Sequence, residues 1–221
     1  TRKWNYEPLT SEEQRLETGL AQHYPGAPVI SELLVQRGIT TVDEAEKFFH
    51  PSLRDMHDPF LMPGMQTAVD RLNKALGSKE RIMVYGDYDV DGTTAVALVY
   101  RYLQTFYSNI DYYIPSREDE GYGISYATID MAASQGVKLI IILDCGIKAI
   151  DEIAYAKTKG VDFIICDHHV PDDRLPEAAA ILNPKLEGST YPCPHLSGCG
   201  VGYKFMQAFA ASNQIDTAEL E

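Results

Sequence analysis

Cysteine, tryptophan and long apolar stretches are all scarce in this sequence. Its 221 residues include four cysteines, none of them in a Cys-x-x-Cys pair, and one tryptophan. Apolar runs such as Leu139–Leu143 are far shorter than the roughly 18 residues that a membrane-spanning helix requires. The amino terminus has no apolar segment typical of a signal peptide. These absences argue against a membrane protein and against a disulfide-stabilised secreted domain, and they predict a cytoplasmic protein with free thiols.

Positive charge is also in short supply. Nineteen Lys and Arg residues stand against 32 Asp and Glu residues, which gives a net charge of −13. Because an acidic surface repels phosphates, this balance alone argues against a nucleic-acid partner. Two arrangements would remove the objection: a bound cation offsets the charge of any carboxylates that are its ligands, and a basic groove can lie on a part of the protein outside this sequence.

What the sequence does contain, from Arg81 onward, is an alternation of short apolar runs with helical patterns. The runs are continuously apolar, as in strands that are buried on both faces. The alternation predicts an α/β fold, a parallel sheet with helices on both faces. The predicted strands are 82–85, 112–114, 139–143, 163–166 and 178–182, and the predicted helices are 94–106, 126–134, 150–159 and 203–211.

The part before this domain has a different pattern. Thr41 followed by Glu44 is a capping box, which marks the start of a helix. Residues 65–76 carry apolar side chains at three- and four-residue spacing, as an amphipathic helix does. We therefore predict a helical N-terminal region, residues 1–78, packed on an α/β domain of residues 79–221.

Acidic residues and histidines follow three of the predicted strands. In an open parallel sheet the ligand crevice lies beyond the carboxyl ends of the strands, so these side chains are expected to meet there. They are Asp87, Asp89 and Asp91 after the first strand, Asp144 after the third, and Asp167, His168 and His169 after the fourth.

Such a cluster repels itself unless a cation lies within it, so it predicts one or two divalent metal ions. Carboxylate oxygens suit Mg²⁺ and Mn²⁺, and an imidazole ligand favours Mn²⁺ while leaving Zn²⁺ open. Two ions roughly 3.5–4 Å apart are suited to in-line attack of water on phosphorus.

Each segment also has a simpler interpretation. The Asp-x-Asp-x-Asp-Gly segment looks like the start of a calcium loop, but Leu98 stands where such a loop needs Glu, and a strand precedes the segment. Asp144 alone could cap a helix. Asp167, His168 and His169 alone could form a polar turn. Three such segments at strand ends make coincidence a poor explanation.

Taken in order, these segments resemble the DHH phosphoesterase superfamily. The resemblance rests on residues 87–92, 144–146 and 167–169, which have the family's order and fitting separations. Further matches narrow it to the RecJ branch and extend it over nearly the whole chain. These are residues 36–39, 58–65, 114–117, 120–123 and 197–201.

The resemblance implies that residues 79–221 are a DHH catalytic domain. It implies a 5′-to-3′ exonuclease that acts on single-stranded DNA with two Mn²⁺ or Mg²⁺ ions and releases 5′-mononucleotides in DNA repair and recombination. The polarity rests on the resemblance alone. We expect a monomer that works with repair proteins and has no membrane partner.

The resemblance also implies roles for individual residues. The metal ligands are Asp87, Asp89, Asp91, Asp144 and His168, with Asp144 as the carboxylate that bridges the two ions. The catalytic residues are Asp144, Asp167 and His169, with His169 as the phosphate contact and general acid. The substrate-binding residues are Arg117, Tyr122, Gly198 and Gly200. Arg117 is equally interpretable as a surface residue, and the glycines as a tight turn into the helix predicted at 203–211.

The sequence departs from the family pattern at its end. The pattern continues with another metal-ligating Asp and a second substrate-binding domain, and nothing in residues 212–221 matches that continuation. The chain also begins at Thr1 instead of methionine. We therefore expect a truncated N-terminal fragment with an incomplete DNA groove, which puts the activity of the fragment alone in doubt.

Four other interpretations remain open. Some relatives cleave pyrophosphate, short oligonucleotides or cyclic dinucleotides, but they usually place His where this chain has Tyr85. An inactive metal-binding scaffold would be expected to lack acidic residues that are present here. Cys193, His195 and Cys199 could bind zinc, although their spacing fits no common finger and a Pro-rich surface loop is the alternative. Several tyrosines could stack on bases, namely Tyr100, Tyr102, Tyr107, Tyr112 and Tyr113. Packing in or near the core explains these five better, and Tyr122 is the better candidate for stacking.

Overall fold

The computed structural model describes residue 3 and residues 5–215. The chain divides into two compact units between Met56 and His57. The sequence analysis placed the boundary after residue 78, but the helix that ends at Gly77 contacts the last strand and the last helix of the second unit. The packing of the N-terminal region on the core stays a prediction, and residues 216–221 of the predicted tail lie outside the described residues.

The first unit is helical, as predicted. Its small core consists of Leu20, Leu34, Val35 and Ala45. Thr41 and Glu44 form the predicted capping box. Its elements are α1 (Ser11–Ala21), α2 (Pro28–Gln36), α3 (Val42–Phe49) and a 3₁₀ turn at Leu53–Asp55.

The second unit has a parallel sheet of five strands in the order β2-β1-β3-β4-β5. The strands are β1 (Arg81–Gly86), β2 (Ile110–Tyr113), β3 (Val137–Leu143), β4 (Asp162–Cys166) and β5 (Ala180–Leu182). The helices are α4 (Met65–Gly77), α5 (Val90–Gln104), α6 (Tyr126–Ser134), α7 (Ile150–Thr158) and α8 (Gly198–Asn213), with a 3₁₀ turn at Pro59–Leu61.

The helices cover both faces of the sheet, which confirms the predicted fold class. Ile82 and Val84 point into a core shared with α4, α5 and α8. Met83 and Tyr85 point into a second core shared with α6 and α7. Because both faces are buried, the strands are apolar along their whole length. In the described part of the chain, no helix is both long and apolar enough to span a membrane.

The chain reverses direction across the sheet between β1 and β3. After β1 it forms β2 on one side, and it then returns to form β3 on the other side. Loops that leave neighbouring strands in opposite directions open a crevice at the carboxyl ends of those strands. Gly86 pairs with Leu143 at this edge, so the residues that follow them enter the crevice side by side.

Two helices begin earlier than predicted. Helix α5 begins at Val90, four residues before the prediction, because Asp89 caps it by accepting a hydrogen bond from the Gly92 N–H. Helix α8 begins at Gly198, not at residue 203, and Ser197 caps it. Glycine disfavours helices, which is why the prediction began late. Close packing outweighs this preference: a Cβ at Gly202 would lie 3.2 Å from Leu143 Cδ2.

Candidate metal centre and active site

Backbone hydrogen bonds place the first residue after each central strand at the same edge of the sheet. The Asp87 N–H donates to Leu143 O at 3.3 Å, and the Asp144 N–H donates to Cys166 O at 2.8 Å. The Asp167 N–H donates to Leu182 O at 3.0 Å. Each bond extends the pairing of the sheet by one residue, so the three aspartates follow their strands in register.

Asp144 lies at the centre of this edge in an unfavourable state. Its φ is 61°, in the left-handed region, and it is 2% exposed. Its Oδ1 accepts no hydrogen bond, although His168 Nε2 lies 3.1 Å away. Burial, and then the negative charge of Asp91, raises the pKa of Asp144 to about 8. A backbone strain of this kind clusters at functional sites.

Asp87 is buried beside it in a similar state. It is 5% exposed and its Oδ1 has no hydrogen-bond partner. Burial raises the pKa of Asp87 above its usual value. Gly92 is required here, because a Cβ at that position would lie 2.4 Å from Asp87 O.

Two overlapping groups of side chains are arranged to hold a metal ion. Asp87, Asp89 and Asp144 form one group, and Asp144, His168 and His169 form the other. Within each group the ligand atoms lie within 4.8 Å of one another. A buried carboxylate oxygen without a donor is costly, and a cation among these oxygens removes that cost. The residues present therefore fit a divalent ion, and Asp144 belongs to both groups.

Asp91, the remaining predicted ligand, is held by the start of α8. Its Oδ2 accepts the Gly198 N–H at 2.7 Å, and its Oδ1 accepts the Cys199 N–H at 2.8 Å. It belongs to neither group, but its Oδ2 lies 3.7 Å from His168 Nε2. Asp91 thus links α5 to α8 at the border of the metal centre.

Asp167 belongs to neither metal group, and both of its oxygens contact backbone N–H groups or His169. It is fully buried. Its Oδ1 accepts from His168 N at 2.7 Å and His169 N at 3.1 Å, and lies 2.7 Å from His169 Nδ1. Its Oδ2 accepts from Ile147 N at 2.9 Å. An ionised carboxylate in this position keeps a proton on His169 Nδ1 and fixes the orientation of the ring.

Comparison with known proteins identifies the family. The family model described as "DHH family, N-terminal domain" matches residues 81–221. The chain belongs to the DHH family. Among curated DHH relatives, the single-stranded-DNA-specific exonuclease RecJ of Bacillus subtilis is 43% identical over 181 residues, which are 82% of this chain and 23% of that protein. RecJ of Haemophilus influenzae is 34% identical over 199 residues, 90% of this chain and 34% of that protein.

Solved structures of DHH-family relatives have the same fold. A crystal structure of exonuclease RecJ bound to manganese matches with a TM-score of 0.64 and 29% identity, over 71% of this chain and 40% of that one. RecJ from Thermus thermophilus in complex with Mn²⁺ matches in fold with a TM-score of 0.71 and 22% identity, over 93% of this chain and 28% of that one. The chain thus spans about a quarter to a third of the curated relatives named above.

Two predicted substrate residues of this DHH-family chain flank the metal groups. The Arg117 guanidinium lies 5.4 Å from the centre of the Tyr88 ring. The Tyr122 hydroxyl lies 3.5 Å from His169 Nδ1. A cavity of about 440 Å³ opens beside Tyr122, and its lining also includes Ile124, Ile147, Lys148 and His169.

The two predicted phosphate-binding glycines have their N–H groups occupied. Gly198 donates to Asp91, and the Gly200 N–H donates to Ser197 Oγ at 3.1 Å. The tight turn that was the alternative is absent at these positions, since both glycines lie in the first turn of α8. Their contact with a phosphate stays a prediction.

The zinc and base-stacking alternatives gain little support. Among the described residues, Cys193, His195 and Cys199 belong to neither metal-holding group. Of the tyrosine set, Tyr102 is buried in the core, whereas Tyr112 is 57% exposed and packs edge-on against Tyr100.

The sequence analysis missed two residues that support the site. Asn183 is fully buried, follows β5 directly, and donates from Nδ2 to His169 O at 2.9 Å. The rule that polar residues gather after strands could have identified it. Glu120 fixes the loop between β2 and α6, because it accepts from the Tyr113 hydroxyl at 2.9 Å, Ser116 N at 2.9 Å and Thr128 Oγ1 at 3.1 Å. The family resemblance covered residues 120–123 but gave Glu120 no role, and its partners lie on β2, on α6 and in its own loop.

Proposed function

We propose that this chain is the metal-binding part of a phosphodiesterase that removes 5′-mononucleotides from the 5′ end of single-stranded DNA with two Mn²⁺ or Mg²⁺ ions. The observation that carries the proposal is the pair of metal-holding groups that share the buried, strained Asp144. The names of the relatives support the choice of DNA over other phosphodiesters. The role in DNA repair, the repair partners and the monomeric state belong to the same proposal and rest on resemblance. The cytoplasmic location also belongs to it and rests on the free cysteines.

The proposed metal ligands are Asp87, Asp89, Asp91, Asp144 and His168. His169, the remaining member of the two groups, has a separate proposed role. Asp87 and Asp89 would hold one ion and His168 the other, and Asp144, which belongs to both groups, would be their shared ligand. Asp91 keeps lone pairs beyond the two N–H donors of α8, so it can still ligate. When bound, the ions supply Lewis-acid activation of water and neutralise charge on the phosphoryl group.

His169 is the proposed phosphate contact and general acid. In the reaction the bond between phosphorus and O3′ of the departing nucleotide breaks, and the leaving oxygen needs a proton. Because Asp167 Oδ1 lies 2.7 Å from Nδ1, the other ring nitrogen, Nε2, is the one left to deliver that proton. Asp167 acts through His169 and is therefore a positioning residue.

The flanking residues fit the two ends of a nucleotide. Arg117 can grip a phosphate through its planar fork. Tyr122 offers a ring for stacking, and the adjacent cavity of about 440 Å³ has room for a nucleoside.

The test is to incubate the chain with 5′-labelled single-stranded DNA and Mn²⁺. The Asp144→Ala variant removes the shared ligand, and Asp173→Ala, an exposed aspartate, serves as the matched control. We expect labelled mononucleotide from the native chain and from Asp173→Ala, and none from Asp144→Ala. Cleavage of dinucleotides without any cleavage of longer strands would replace the proposal with an oligonucleotide hydrolase.

A further inference from the structure

Gly198 lies against the carboxylate that the two metal-holding groups share. A Cβ built on Gly198 would lie 2.3 Å from Asp144 Oδ1, 2.5 Å from Asp144 Cβ and 2.6 Å from Asp144 Cγ. Real Cβ atoms essentially never approach another atom within 3.0 Å. The closest atoms include Cβ, which cannot swing aside as the end of a long side chain can.

The backbone conformation does not explain this glycine. Gly198 is the first residue of α8 and does not have a positive φ, so any residue could adopt its conformation. What selects glycine is the absence of a side chain against Asp144.

Neither partner is free to move away. Asp144 is buried in a left-handed conformation and its N–H is bonded to Cys166 O. Gly198 is buried and its own N–H is bonded to Asp91 Oδ2 at 2.7 Å. The first turn of α8 therefore contacts two acidic residues. It packs against Asp144 by van der Waals contact, and it donates hydrogen bonds to Asp91.

We infer that Gly198 is a positioning residue of the metal centre. It sets the place of the Asp144 carboxylate by contact, and with the Cys199 N–H it orients Asp91. This inference rests on the proposed metal-binding function and adds a role for a residue that has no ligand atom of its own. Loss of a contact that supports a metal ligand typically lowers metal affinity 10–100-fold, because the displaced ligand no longer fits the ion.

The first experiment measures Mn²⁺ affinity of the 221-residue chain by calorimetry. We expect Gly198→Ala to weaken Mn²⁺ binding at least tenfold. Gly77→Ala is the matched control, because it adds the same methyl group to a helix where nothing lies within 4 Å. Equal Mn²⁺ affinity in the two variants would overturn the inference.

The second experiment is a metal-free double-mutant cycle in thermal stability. Asp144→Gly removes the contacted side chain at a φ that glycine adopts without strain. We expect Gly198→Ala to lower Tm by roughly 5 °C in the native background and by much less in the Asp144→Gly background. If Gly198→Ala fails to fold alone, recovery in the Asp144→Gly background supports the inference.

Equal losses of stability in both backgrounds, or failure of the double variant to fold, would overturn the inference. A native chain that binds no Mn²⁺ would instead count against the proposed function, and the stability cycle would still decide whether Gly198 positions Asp144.

Discussion

At the scale of single residues, hydrogen bonding to the carboxylate oxygens distinguishes Asp87 and Asp144 from Asp167. Asp87 and Asp144 each bury an oxygen that accepts no hydrogen bond, and both pKa values are raised by burial. Asp167 is equally buried but has donors on both oxygens. The first two carboxylates are therefore suited to a cation, and the third to orienting a histidine.

Asp144 gives the metal-free protein a specific dependence on pH. The unfolded chain releases this proton near its usual pKa of 3.8, whereas the folded chain keeps it until about pH 8. The folded state binds more protons over that interval, so its stability falls as pH rises from about 4 to 8. We expect Tm to fall over this range without metal, and to fall less in Asp144→Asn.

Added Mn²⁺ should reverse this trend, because an ion binds the deprotonated carboxylate. The rise in Tm on adding Mn²⁺ is expected to be larger at pH 8 than at pH 5.5. A native Tm that stays level from pH 5 to pH 8 without metal would contradict the raised pKa of Asp144 in the folded chain.

Asp167→Asn separates orientation of His169 from metal binding. The substitution puts an amide where backbone and ring donors converge, so the hold on His169 weakens. We expect kcat on single-stranded DNA to fall about 10²-fold, the lower end of what general acid–base catalysis contributes. Mn²⁺ affinity should stay close to that of the native chain, and a loss of affinity would show that Asp167 is a ligand after all.

At the scale of elements, the sheet was predictable and its helix starts were less so. All five strands were expected within two residues of their observed ends, because strands buried on both faces leave a clear apolar signal. The starts of α5 and α8 were missed because acidic and glycine-rich segments resemble loops. The start of α5 is set by the local cap at Asp89, whereas α8 tolerates its glycines for a tertiary reason, the close approach of Gly202 to Leu143.

For the candidate site, the meeting of the carboxylates was predictable, but the hydrogen bonds that hold them were not. The sequence predicted that Asp87 and Asp144 meet, because both follow buried strands of a parallel sheet. The strand order that makes them neighbours was not predicted. The hydrogen bonds that hold Asp91 to α8 join residues far apart in the chain, and no local pattern encodes them.

The loop between β2 and α6 depends on one carboxylate. Glu120 ties the loop that carries Arg117 and Tyr122 to neighbouring elements. Glu120→Ala should raise KM for single-stranded DNA about tenfold, the equivalent of roughly 1.4 kcal/mol, with a smaller change in kcat. Glu118→Ala, an exposed carboxylate in the same loop, is the control. Equal effects of the two substitutions would show that loop charge, not loop anchoring, is responsible.

At the scale of the whole molecule, the two units have separate cores of very different size. Among the described residues, the first has four buried apolar side chains, while the second has two large clusters on the faces of the sheet. Domains with so little core are marginal on their own. We expect residues 57–221 to unfold cooperatively and to bind Mn²⁺ as the full chain does, and residues 1–56 to show no cooperative transition by circular dichroism. A cooperative transition in the short piece alone would contradict this.

The parallel sheet also dictates when the site comes into being during folding. Asp87 and Asp144 approach only after β1 and β3 pair, and these strands are joined through the whole of α5, β2 and α6. Closing so long a connection is a slow, late event in parallel sheets. Interactions formed after the transition state slow unfolding without accelerating folding. A metal ion held at this edge would therefore slow unfolding and prolong the lifetime of the native state, while leaving the folding rate unchanged.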